Sequence, residues 1–123
     1  MWGVGDFDAN VLIVALGQEG LDVTWFDQRA GVDQLPLNDE TLVGIVANGK
    51  SDSFFGALFG NRHWLAVVRD NGGVWWNLDS KLDAPSAFES CAHLVQHMQK
   101  FVAGGGQILL ARRIGAAPAV LVQ

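Results

Sequence analysis

The sequence predicts an α+β domain, a mostly antiparallel sheet with a helix on each side. Three observations predict it. The strand-like segments LVGIVAN, RHWLAVVR and VWWNLD crowd the middle of the chain. Apolar residues at helical spacing stand before and after them. Between two of the strands sits DNGG, a turn signal that makes those strands a hairpin.

Each element has its own justification. Asp8 to Gln18 reads as a helix, with Val11, Leu12, Ala15 and Leu16 on one face, Asp6 or Asp8 as its cap and Gly20 at its left-handed end. LDVTWFD, Leu21 to Asp27, alternates like a strand. QRAGVDQLPLNDE is a loop, marked by Gly31, Pro36 and Asn38-Asp39. LVGIVAN, Leu42 to Asn48, is continuously apolar and reads as a buried strand. GKSDSFFGALFGNR is a second loop, rich in Phe. After the hairpin, Pro85 and Ser86 mark a helix start. Ala92, Val95, Met98, Phe101 and Val102 form its apolar face, and Gly104-Gly105-Gly106 ends it. QILLARR, Gln107 to Arg113, is a last strand. The tail GAAPAVLVQ has no period and is expected to be disordered.

Composition narrows the function. The 123 residues fit one domain, half of them hydrophobic and 17% charged, which argues against disorder. The formal charge is −5 and the basic residues cluster no further than Arg112-Arg113, so nucleic acid is a poor partner. No apolar run reaches the roughly 18 residues of a membrane span. MWGVGDFDAN lacks the basic-then-apolar order of a signal peptide. The single cysteine, Cys91, excludes an intramolecular disulfide and suits a reducing compartment, so an intracellular, cytoplasmic or nuclear location is expected.

The hairpin holds the chemistry. Two turns fit DNGG. A two-residue turn at Asn71-Gly72 sets His63 opposite Ser80. A three-residue loop, Asp70-Asn71-Gly72 with Gly72 left-handed, closes on Arg69 and Gly73 and sets His63 opposite Asp79, within hydrogen-bonding reach on one face. The three-residue loop is preferred. A carboxylate beside an imidazole fixes its tautomer and stabilises its cation, which makes a general base; the same pair also occurs simply as a stabilising contact.

Other candidates read as structural. Cys91 falls near Val95 and Met98, the place of a buried, inert thiol. His93 and His97 stand at i, i+4 after Glu89, a spacing that can bind metal but lacks the H-E-x-x-H order, so they read as a solvated polar face. Trp25, Trp64, Trp75 and Trp76 read as core or half-buried. Phe54, Phe55 and Phe59 either fold back on the core or form, with Trp64, an apolar patch for a protein partner beside His63.

These residues resemble the Josephin-type deubiquitinases. The similarity runs from about Phe7 to Arg112. Its most specific segment, RHWLAVVRDNGGVWWNLDSKLDAP, resembles the family's His-Trp strand, hairpin and Asn-Leu-(Asp/Asn)-Ser strand. DFDANVLIVALGQEGLDVTWFD, LVGIVAN and the helix before QILLARR carry the rest. The resemblance implies a papain-like cysteine-protease fold. It implies that a cysteine attacks the isopeptide carbonyl at ubiquitin's C-terminus, with His63 as base and Asp79 orienting it. Asn77 is the second choice for that role. It also favours the three-residue loop. In the family the nucleophile lies in a Gln-rich segment before everything seen here. The resemblance thus implies a partial Josephin domain over residues 1–113, without its N-terminal catalytic helix, then a tail at 114–123. Such a chain is expected to be inactive alone. The alternative is a non-catalytic module that binds ubiquitin or polyubiquitin conjugates. No cofactor and no metal are implied.

Overall fold

Six strands stand among the described residues and pair antiparallel throughout. The computed structural model describes residues 16–50, 62–79 and 82–114. The strands are β1 (Leu21–Trp25), β2 (Leu42–Lys50), β3 (Arg62–Arg69), β4 (Trp75–Asn77), β5 (Ser86–Ala87) and β6 (Gln107–Arg113). Their order across the sheet is β1-β6-β2-β3-β4-β5. The last strand in the chain therefore lies between the first and the second. Helix α1 (Cys91–Ala103) packs on one face of the sheet. Residues 16–18 are helical as well, and Gly20 takes φ 86° just before β1. The α+β class read from the sequence is the class of the protein.

Period-two alternation divides the sheet into two faces. Ile45, Ala47, Leu65, Val67, Trp75, Ile108 and Leu110 lie under α1 in the main core. Val23, Leu109 and Ala111, with Val46 and Trp64 packed against them, lie on the other face. β2 has strands on both sides and core on both faces, so it reads as an unbroken apolar run. Its register against β6 shifts between Leu42 and Gly44, a bulge that lets Leu42 join the core under α1.

α1 begins one turn later than the sequence signals suggest. Ser90 is its cap, accepting a hydrogen bond from the His93 N–H, while Ser86 lies in β5. The buried stripe is Leu94 and Met98, flanked by Val95, Phe101 and Val102; Ala92 is exposed. Cys91, expected to be buried, is exposed in the first turn. It stands one turn before Leu94 on the same stripe, at the end of the helix, where the core no longer covers it. Trp25, expected to be core or half-buried, is 47% exposed: it shares the face of buried Val23 but ends the edge strand β1. The segment after β1 folds into two 3₁₀ turns, Gln28–Ala30 and Val32–Gln34, and sends Val32 and Leu35 into the core. Arg69 fastens this segment to β3 by donating from Nη2 to the Leu37 and Asp39 carbonyls at 2.8 and 2.9 Å.

The hairpin has neither of the anticipated registers. Val67 pairs with Asn77 and Arg69 with Trp75. The loop is Asn71-Gly72-Gly73, closed by Asp70 and Val74, and the left-handed glycine is Gly73 at φ 86°. The Asp70 carboxylate decides this, since it accepts from the backbone N–H of both Gly72 and Val74 at 2.9 Å. The register has moved by two residues from the preferred one. A shift of two keeps every side chain on its face, whereas a shift of one would have reversed them all.

Candidate active site

His63 enters the site from β3, which pairs with β2 from Arg62 to Val68 and with β4 only from Val67 to Arg69. Alternation puts His63 on the α1 face with Leu65 and Val67. Asp79 follows β4. The observed register sets it diagonal to His63 rather than directly across, a separation that longer side chains still span. Asn77 helps make the approach: its Oδ1 accepts from the Asp79 N–H at 2.9 Å and turns the chain beyond the strand. His63 Nε2 lies 2.8 Å from Asp79 Oδ1, with the side chains 14% and 15% exposed. The contact has the distance of an ion pair, but the ring N–H does not point along it. With Nε2 on the carboxylate, Nδ1 is on the side of the ring turned away from it.

Two further residues shape the site. Gly49 stands directly across from His63 in the β2–β3 ladder. Phe101 descends from α1 into the space that the missing Gly49 side chain leaves, its Cδ1 2.9 Å from where a Cβ would be. The Phe101 ring lies 6.4 Å from that of His63, at 23° to it. On its other side is the ring of His97, at 5.7 Å.

Residues 1–112 match the Josephin family profile. The chain belongs to the Josephin family. It is 46% identical over 85 residues to a Josephin-like protein of Arabidopsis thaliana, an alignment covering 68% of this chain and 23% of that protein. It is 41% identical over 88 residues to human Josephin-2, covering 69% and 45%. A Drosophila melanogaster Josephin-like protein is 36% identical over 105 residues, covering 82% and 44%. This Josephin chain thus spans less than half the length of these curated relatives.

The remaining candidates separate. Cys91 is ten residues before Phe101, so it lies about 15 Å along α1 from the ring that touches His63. Trp64 is on the face opposite His63, where it lines an apolar groove of about 420 Å³ with Leu21, Val46, Val68 and Leu78. Phe54, Phe55 and Phe59 lie outside the described residues. His93 accepts the Glu89 N–H at Nδ1, which completes the start of α1. No helix among the described residues is long and apolar enough to cross a membrane.

His97 is not on a solvated face. It is half-buried, with its ring 5.5 Å from Phe88 and its Nε2 buried without a hydrogen-bond partner among the described residues. Burial lowers its pKa below the ordinary 6.5; Lys100 and His93 add to this, and Asp79 opposes it. Sequence reasoning saw Phe101 as core and did not connect it with His63. The available signal was the spacing Leu94, His97, Met98, Phe101, a buried i, i+3, i+4, i+7 stripe with a histidine in it.

Proposed function

We propose that this Josephin chain carries the base and the orienting acid of a thiol-dependent deubiquitinase that hydrolyses isopeptide bonds at the C-terminus of ubiquitin, in ubiquitin or polyubiquitin conjugates. The observation that carries the reading is the shielded 2.8 Å pair of His63 and Asp79 in a member of this family. The Asp79 carboxylate holds one edge of the ring and stabilises the imidazolium. Nδ1 takes the proton of an attacking thiol. The thiolate adds to the isopeptide carbonyl, and the imidazolium returns the proton to the departing lysine amine. Water then hydrolyses the thioester with the same imidazole as base. Cys91 is too far along α1 to be that thiol, so a cysteine outside these 123 residues supplies it. A working thiolate suits a reducing, intracellular compartment.

Hydrolysis of a ubiquitin C-terminal amide by the natural protein tests this. His63→Ala and Asp79→Ala are each expected to lower kcat by on the order of 10²–10⁴-fold. Cys91→Ser is expected to leave it unchanged. Full activity in His63→Ala, or its loss in Cys91→Ser, would refute the assignment. The remoteness of Cys91 supports a second reading, a non-catalytic ubiquitin-binding module. Under that reading the natural protein does not hydrolyse the amide, while the 123-residue chain binds ubiquitin in an NMR titration and His63→Ala still binds.

A further inference from the structure

We infer that Phe101 is the positioning residue for His63, and that Gly49 is glycine so that Phe101 can do this. The inference rests on His63 being the base, as proposed above. Asp79 constrains the imidazole at one edge, and its contact is not aligned with the ring N–H. A second constraint on the ring plane is therefore needed if Nδ1 is to keep one direction. Phe101 provides a wall for that plane, 6.4 Å away and within 23° of parallel, inside the range of offset aromatic packing.

The wall is itself held at two points. Its ring fills the slot at Gly49, the residue directly across from His63. Any side chain at 49 would meet Cδ1 at 2.9 Å. Its backbone is held where α1 stops, since the Phe101 carbonyl accepts from the Gly106 N–H at 2.7 Å. Gly106 has no Cβ, and a methyl there would overlap the Asn48 carbonyl oxygen and come within 2.6 Å of the Phe101 oxygen. Two glycines, one in β2 and one before β6, thus bring the end of α1 down beside the base. Phe88 supplies the internal contrast. It is buried under the same helix, but its ring contacts are to His93 and His97, at 5.2 and 5.5 Å.

The test follows the imidazole of His63 by NMR in the 123-residue chain and so does not depend on activity. In the unaltered protein the Nε2 proton is expected to be shielded and visible as its own resonance. Phe101→Leu, folded by its amide spectrum, is expected to lose that resonance to exchange and to shift the His63 Cε1–H signal. Phe88→Leu is expected to leave both in place. Gly49→Ala, which displaces the ring and keeps the phenylalanine, covers the case in which Phe101→Leu does not fold, and is expected to move the same signals. Unchanged His63 signals in Phe101→Leu or Gly49→Ala would overturn the inference. So would equal changes in Phe88→Leu, since these would mean general loosening. In the natural enzyme, Phe101→Leu is expected to lower kcat by on the order of 10²-fold with KM unchanged. If ubiquitin amides prove not to be substrates while the imidazole still responds, the functional reading fails and the positioning role stands.

Discussion

The two ends of the β3–β4 hairpin are held in opposite ways. At the turn end the partners of Asp70 are local, and only Arg69 beside it reaches out, to the Leu37 and Asp39 carbonyls. The exposed Asp70 carboxylate takes the N–H of Gly72 and Val74 and the indole N–H of Trp76, all at 2.9 Å and within six residues. At the open end the partners come from across the fold: Gly49 from β2, Phe101 from α1, Asp79 from beyond β4. The turn fixes which residues face each other. The remote elements fix where the functional groups point. A local device can set register cheaply in loop entropy, but an imidazole that must keep one orientation needs walls that do not move with its own strand.

The open end should fail the more severely. A methyl at Gly106 would collide with backbone at Asn48 and Phe101, and backbone cannot rotate aside as a side chain can. Gly106→Ala is expected to lose more than about 4 kcal/mol, as for the most damaging substitutions, and to leave the chain unfolded by circular dichroism at 25 °C. A cooperative melt near that of the unaltered protein would show that β6 can leave β2 without consequence. Met98→Ala, a fully buried side chain of α1 away from the glycines, is expected to cost about 2–5 kcal/mol by urea titration.

The turn end gives a smaller effect and a sharper one. Gly73 has φ 86°, and a side chain there strains the backbone by roughly 1–2 kcal/mol. A Cβ on Gly72 would meet Asp70 Oδ1 at 3.4 Å, an ordinary contact. Gly73→Ala is therefore expected to lower the urea midpoint, and Gly72→Ala to change stability by about 0.5 kcal/mol or less. Had the register been the one in which Gly72 is left-handed, the two costs would be exchanged. Measuring both variants thus determines the register in solution.

The same contrast explains what could be read from the sequence. Every strand but β5, the hairpin and the shared face of His63 and Asp79 were legible because alternation and turn chemistry are local; Ser86, in β5, was read as a helix cap. The register was missed because DNGG offers two adjacent glycines to one left-handed position, and the vote of Asp70 depends on carboxylate geometry. The place of β6 between β1 and β2 was not legible, since nothing in QILLARR names its neighbours. His97 was misread because a histidine counts as polar until the rings of Phe88 and Phe101 are seen around it. Phe101 and Gly49 look like any core phenylalanine and any strand-end glycine until the fold brings them beside His63.

Acid separates the two ends by the pH at which each weakens. At the open end, burial holds His97 below its ordinary pKa of 6.5, so the folded protein keeps it neutral while the unfolded chain already binds a proton. Its contribution is complete above pH 6.5 and declines as pH falls from there through the lowered value. At the turn end, the Trp76 indole and then the Val74 N–H hold the Asp70 carboxyl below 3.8, so its contribution is complete above pH 3.8 and declines only below it. Urea midpoints measured from pH 7.5 to 3 are therefore expected to fall in two stages. His97→Met, which suits the apolar stripe of α1, is expected to flatten the first stage and leave the second. Asp70→Asn is expected to leave the first stage and lessen the second, to which Asp27 and Asp39, also held below 3.8, contribute. If His97→Met leaves the slope below pH 6.5 unchanged, the acid response does not arise at the aromatic wall beside His63, and the open end is no more sensitive to protons than the turn.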